Sequence, residues 1–162
     1  MRIIGGEHGG RKFNPPNKMP YTRPTTDIAK EGLFNVLQNN LDFEEIRTLD
    51  LFGGTGSISY ELASRGVEDL TIVEKDAAMY DFIKKTAATL RIENIQVIKM
   101  DVFKFINNCT EKFDFIFAGP PYALTTIDDL PKNIFEKQLL KTNGWFVLEH
   151  TPRNNYKKFA HY

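Results

Sequence analysis

The chain has 162 residues, 41% hydrophobic and 26% charged, and its 21 basic and 21 acidic side chains cancel. This composition suits one globular domain and excludes a disordered or fibrous protein. There is no apolar run of the length that spans a membrane, and Met1 to Lys12 carries glycines and charges where a leader would place its apolar segment, so a cytoplasmic protein is expected.

In chain order, Arg2-Ile3-Ile4 and Arg11-Lys12-Phe13 flank a turn region holding Gly5, Gly6, Gly9 and Gly10, which predicts a small β-hairpin. Asn14-Pro15-Pro16-Asn17 and Pro20 then predict an extended linker. Residues 1–24 are thus read as a basic hairpin and linker, and residues 25–162 as the main domain. From Thr26 the spacing of Ile28, Leu33, Val36 and Leu37 is helical, with Thr25, Thr26 or Asp27 as N-cap.

Strand and helix patterns then alternate: Ile46–Leu51, Ser57–Arg65, Leu70–Val73, Asp76–Leu90, Ile95–Ile98, Val102–Asn107, Phe113–Phe117, Ile127–Leu140 and Trp145–Leu148. Five strands in this alternation predict an α/β fold, a mostly parallel sheet with helices on both faces. The strands are short, apolar and rich in branched or aromatic residues, as burial on both faces requires. Ligands of such sheets bind beyond the carboxyl ends of the strands, where strand order reverses. The residues that follow each strand are therefore the candidates for chemistry.

At the first strand end stands Asp50-Leu51-Phe52-Gly53-Gly54-Thr55-Gly56, leading into a helix at Ser57. Glycines allow positive φ and close approach of a ligand to the main chain, and a helix start offers unpaired N–H groups. An adenosine-bearing cofactor is expected here. The glycine spacing fits poorly to the Gly-x-Gly-x-x-Gly of dinucleotide enzymes, which argues against a nicotinamide oxidoreductase. It resembles instead the Asp-x-Phe-x-Gly-x-Gly form of motif I in S-adenosylmethionine-dependent methyltransferases. At the second strand end Glu74, with Lys75 beside it, lies about twenty residues past the glycines, where an acid accepts ribose hydroxyls. At the third, Asp101 is placed to accept an adenine amino group and Val102 to cover the ring; the plain alternative for Asp101 is a helix N-cap.

The fourth strand end, Phe117-Ala118-Gly119-Pro120-Pro121-Tyr122, resembles motif IV of amino methyltransferases, Asp/Asn-Pro-Pro-Tyr/Phe. Paired prolines stiffen the loop and the following ring can stack on a base. The run Arg23-Pro24-Thr25-Thr26-Asp27, followed by Glu31 and Leu33-Phe34-Asn35, narrows the resemblance. With the opening Arg2-Ile3-Ile4 hairpin, the chain is similar over nearly its whole length to the bacterial 16S ribosomal RNA guanine-N2 methyltransferases of the RsmD type.

That resemblance implies a Rossmann-like class I methyltransferase fold and S-adenosylmethionine as cofactor. It implies that Arg23 and Thr25 lie near the methionine end of the cofactor, that Asp50, Phe52, Gly53, Gly54 and Gly56 wrap it, that Glu74 takes the ribose, and that Asp101 and Val102 take the adenine. Gly119, Pro120, Pro121 and Tyr122 form the catalytic loop, with Tyr122 stacking on the target guanine. Members of the fold close the sheet with a terminal antiparallel hairpin, which is expected to be incomplete in a chain stopping at Tyr162.

Gly119 departs from the family pattern, because glycine has no side-chain acceptor to hold the target amine. Losing one such partner costs on the order of a hundredfold in rate, so either impaired catalysis with cofactor binding intact or a sequence change at position 119 is expected.

Partners follow from charge. Residues 1–35 carry six Lys/Arg against three acids, and Arg153, Lys157 and Lys158 follow unopposed after His150. Such basic ends within a neutral chain suit contact with phosphate. Arg2, Arg11, Lys12 and Lys18 are the candidate RNA contacts, with ribosomal RNA or the assembling small subunit as partner and a monomer as the expected state. No metal is expected, since Cys109 stands alone and His8, His150 and His161 are scattered. The alternatives are a non-catalytic cofactor- or RNA-binding module, or an amino methyltransferase acting on another nucleic acid or a protein amide.

Overall fold

The computed structural model describes residues 1–15, 25–121 and 124–150. Lys18, Arg23 and Tyr122, together with the terminal hairpin expected near the chain end, lie outside these residues. The elements are α1 (Asp27–Asn40), β1 (Arg47–Leu51), α2 (Ser57–Ser64), β2 (Asp69–Val73), α3 (Ala77–Thr89), β3 (Ile95–Ile98), α4 (Val102–Asn108), β4 (Phe113–Ala118), α5 (Asp129–Glu136) and β5 (Leu140–Leu148).

The strands form one sheet in the order β3-β2-β1-β4-β5, and every pairing is parallel. From β1 the chain steps outward to β2 and β3, then crosses back to place β4 on the other side of β1. Strand order therefore reverses between β1 and β4, and the crevice opens beyond their carboxyl ends.

Alternate strand residues feed two cores. Leu49, Leu51, Ile116 and Ala118 pack with Val102 and Ile106 of α4 and Leu130 and Ile134 of α5. On the opposite face Leu70, Phe115 and Phe117 pack with Phe34 and Leu37 of α1 and Ile58 and Leu62 of α2, while Ile72 packs with Ile83 and Ala87 of α3. Burial of both sheet faces explains why the strands read as continuous apolar runs rather than as an alternation. No helix among the described residues is long and apolar enough to cross a membrane.

Two local expectations change. Helix α1 forms, capped by Thr26 Oγ1, which accepts from Ala29 N at 3.2 Å. Its buried stripe, however, is Lys30, Phe34 and Leu37, whereas Ile28 and Val36 are 85% and 50% exposed. The periodicity is that of a helix, but a buried lysine holds a place on the inner face that hydrophobicity alone gives to Ile28. The second change is at α5, which spans Asp129–Glu136 rather than reaching Leu140. Gln138 takes φ +56° just beyond the helix, a left-handed residue that ends it, and β5 begins at Leu140 instead of Trp145. Leu140 pairs with Phe113 and Trp145 with Phe115, so the chain makes an irregularity between them, with Asn143 at φ +66°.

The N-terminal hairpin is present, with Arg2 bridged antiparallel to Lys12 and Ile3 N donating to Arg11 O at 2.9 Å. It shares the main core: Ile3 and Phe13 are buried, and Phe13 meets the Tyr60 ring edge-on at 5.1 Å. Polar contacts fasten it as well. Glu61 of α2 accepts from Ile4 N at 2.8 Å and Gly5 N at 2.9 Å, and from Arg65 Nε at 2.8 Å. Lys30 Nζ donates to Arg2 O at 2.6 Å and Ser57 Oγ at 3.0 Å, 3.5 Å from Glu61.

Candidate active site

The glycine turn after β1 is built by close approach. Gly53 N donates to Val73 O at 3.1 Å, which draws the turn onto the end of β2, and a Cβ at Gly53 would collide with Ile72. Gly56 caps α2 with φ +82°, a left-handed conformation that L residues other than Asn and Asp seldom adopt. Phe52 also sits at φ +59°. A bulky residue held there stores strain of order 1–3 kcal/mol, and its side chain forms part of both cavities described next.

The larger cavity, of about 410 Å³, is lined by Phe52, Glu74, Lys75, Asp101, Val102 and Pro121, with Phe103, Leu124 and Thr126 adding apolar and hydroxyl surface. The smaller one is lined by Thr25, Asp50, Phe52, Gly53, Gly54, Ser57, Phe117, Gly119 and Glu149. The residues singled out at four separate strand ends, apart from those outside the described region, thus meet around two neighbouring hollows. Gly56 stands behind them at the head of α2, and Pro120 follows Gly119 on the loop.

Each acid has a distinct setting. Glu74 is buried and accepts from Gly54 N at 2.9 Å through Oε1 and from Asp76 N at 2.8 Å through Oε2. Burial outweighs these bonds and raises its pKa. Asp50 is 3% exposed and accepts from Ser59 Oγ at 2.9 Å. Burial, with the Glu74 charge adding to it, pushes the Asp50 carboxyl up to about 7. Asp101 takes the N-cap role, the plain alternative that the sequence offered. Its Oδ1 caps α4, accepting from Phe103 N at 3.0 Å and Lys104 N at 3.2 Å, while the residue also lines the larger cavity.

The candidate RNA contacts among the described residues all stand on the hairpin, with Lys12 bridged across from Arg2. Arg2 Nε pairs with Asp27 at 3.2 Å, at the start of α1, whereas Arg11 Nη1 donates to Leu90 O at 2.9 Å, at the far end of α3. Lys12 is exposed. No group of three or more potential metal-ligating side chains converges among the described residues.

Glu149, Ser59 and Phe103 escaped the sequence reading. Glu149 follows β5 directly, so the strand-end rule that picked out Glu74 and Asp101 points to it as well. Thr25 Oγ1 donates to Glu149 Oε2 at 3.0 Å, across 124 positions of sequence.

Comparison with known proteins agrees with this geometry. The family model described as "Conserved hypothetical protein 95" matches residues 1–162. The ribosomal RNA small subunit methyltransferase D of Escherichia coli K12 is 32% identical over 149 residues, covering 92% of this chain and 71% of the relative. Among solved structures, hypothetical protein TTHA0928 of Thermus thermophilus superposes with a TM-score of 0.85 at 27% identity, covering 96% of this chain and 88% of that one. The precorrin-6y C5,15-methyltransferase of Geobacter metallireducens, at 16% identity, shares the fold with a TM-score of 0.68, over 84% of this chain and 67% of its own. The chain has the Rossmann-like methyltransferase fold and belongs to the conserved hypothetical protein 95 family, that of the ribosomal RNA small subunit methyltransferases D.

Proposed function

We propose that this chain transfers a methyl group from S-adenosylmethionine to the exocyclic N2 of a guanine in small-subunit ribosomal RNA. It would act as a cytoplasmic monomer on the RNA or on the assembling subunit. The observation that carries the reading is the meeting of four strand ends at the sheet's reversal point around two cavities that share Phe52 as a wall. The E. coli relative named as a ribosomal RNA small subunit methyltransferase points to the same substrate class.

The residues present fit an adenosyl cofactor. Glu74 and Asp101 both line the 410 Å³ cavity and offer carboxylates, and Val102 and Phe103 offer apolar cover for a purine. Thr25, Asp50 and the Gly53–Gly54 backbone border the smaller hollow, beside Gly119, where a methionine moiety and the target amine would meet. The cofactor supplies a methyl group made electrophilic by sulfonium. The guanine amine would form the N–C bond as the C–S pair withdraws to sulfur, and the surplus proton would leave nitrogen for a hydrogen-bond acceptor and then water. The chain's own part is chiefly positioning and acceptors placed where positive charge develops. A guanine within folded RNA must also be swung out of its stack to reach the cleft.

The second reading, a non-catalytic cofactor- or RNA-binding module, rests on Gly119 alone. The test is methyl incorporation from tritiated S-adenosylmethionine into an unmodified small-subunit RNA transcript and into undermethylated small subunits, with mass mapping of the product base. N2-methylguanine is the expected product. Binding of S-adenosylhomocysteine by calorimetry without incorporation into either substrate would favour the module instead.

A further inference from the structure

Gly119 removes an acceptor from the catalytic loop, and the neighbouring strand brings another to the same place. Ala118 pairs with Leu148 in parallel register, and Glu149 N donates to Ala118 O at 2.9 Å. Gly119 and Glu149 are therefore lateral neighbours just past the ends of β4 and β5, about 5 Å apart by the ordinary strand spacing. Both border the small hollow that also holds Thr25, Asp50 and Phe117. The carboxylate has a fixed orientation, because Thr25 Oγ1 donates to its Oε2 at 3.0 Å. The threonine hydroxyl donates one hydrogen, and a carboxylate carries about four acceptor sites.

We infer that Glu149 is a catalytic residue, its carboxylate holding the hydrogen of the target amine that a side chain at position 119 would otherwise hold. The inference rests on the methyltransferase reading above and adds a residue to it. When the amine forms its bond to the methyl carbon, positive charge grows on nitrogen. An anionic acceptor there stabilises that charge and takes the proton that nitrogen must shed before passing it to water.

The structure makes the exchange testable, because position 119 takes a side chain once the Phe117 ring gives way by a few tenths of an ångström. Its backbone lies outside the left-handed region, and a Cβ would meet only the Phe117 ring, at 3.2 Å from Cε1 and 3.7 Å from Cζ. The measurement is single-turnover methyl transfer to the unmodified transcript and to undermethylated subunits, with S-adenosylhomocysteine affinity and melting temperature measured in parallel. Glu149→Ala is expected to lower kcat about a hundredfold, leaving cofactor affinity, melting temperature and the KM for RNA near wild type. Glu149→Gln keeps an acceptor oxygen but neither the charge nor the capacity to take the proton, and is expected to fall between wild type and Glu149→Ala. Adding Gly119→Asp to Glu149→Ala restores most of the loss, which a purely structural role for Glu149 does not allow.

In the otherwise unchanged chain, where Glu149 already serves, Gly119→Asp raises kcat less than about tenfold. This variant leaves Glu149 in place and decides the matter even if Glu149→Ala is unstable. Wild-type kcat in a folded Glu149→Ala variant, or a full hundredfold gain from Gly119→Asp alone, overturns the inference and leaves the methyltransferase reading standing. Absence of any transfer by the wild-type chain overturns both.

Discussion

Asp50 is a carboxylate at the end of a central strand, and its burial has a measurable sign. Its ordinary pKa is 3.8, and in the fold it is pushed up to about 7 by removal from water. The folded chain then holds the Asp50 proton more tightly than the unfolded chain. The stability this confers is fully present below about pH 4, declines as pH rises, and is gone above about pH 7. Within that window each pH unit removes up to about 1.4 kcal/mol. Asp50→Asn keeps an oxygen for the Ser59 hydroxyl while removing the titration. Urea unfolding of the two proteins at intervals from pH 4 to 7 is expected to show a shallower decline for the variant, and parallel slopes would show that Asp50 is already ionised at low pH. A group poised near neutrality beside the glycine turn also ionises readily when a cation is brought against it, as the sulfonium of the proposed cofactor would be.

The hairpin and α2 illustrate how one element holds another by buried charge. Lys30 and Glu61 are 1% and 0% exposed. Burial lowers the Lys30 pKa against the attraction of Glu61. Burial also opposes ionisation of Glu61, but bonds from Ile4 N, Arg65 and Gly5 N prevail and hold its pKa below the usual range. Removing one partner of such a pair strands the other, at roughly 3–5 kcal/mol. Glu61→Gln is accordingly expected to lower stability by about 3 kcal/mol and to speed amide exchange at Ile4 and Gly5 ahead of the sheet. An unchanged melting temperature with unchanged protection would mean that apolar docking of Ile3 and Phe13 suffices.

This cluster is invisible in the sequence for a physical reason. Lys30, Glu61 and Arg65 each read as surface charge, and only the fold brings Lys30 of α1 against Glu61 of α2. The βα alternation is legible because each strand is a short apolar run ending in a turn or an acid, and the cofactor turn because its glycines answer to steric needs that few other residues meet. The end of α5 is not legible, since Leu139 and Leu140 continue a helical pattern that only the left-handed Gln138 breaks. The Thr25–Glu149 pair is out of reach too, being set by how the start of α1 lies across the sheet.

At the scale of the molecule, the proposed reading puts the cofactor in the cleft and RNA contacts on the hairpin. The net charge is zero, so attraction for a polyanion has to come from local patches. The hairpin spans the face formed by α2 and α3, from Arg2, whose carbonyl takes the Lys30 bond beside Ser57, to Arg11 at the carbonyl end of α3. Arg11 therefore reaches away from the cleft, while Arg2, with Lys12 bridged directly across from it, lies nearer the rim. Side chains that contact phosphate release counterions, and each such contact contributes close to one unit to the slope of log affinity against log salt. Replacing Arg11 and Lys12 together by alanine is expected to reduce that slope by about two units, with the affinity for S-adenosylhomocysteine unchanged. Filter binding of the small-subunit transcript over a range of potassium chloride measures the first quantity, and calorimetry the second. Because the Arg11 guanidinium also holds the Leu90 carbonyl, Lys12→Ala alone supplies the control: a drop of about one unit with full amide protection at Ile3 assigns the effect to phosphate. A slope that stays at the wild-type value in the double variant would move the RNA-binding surface off the hairpin altogether.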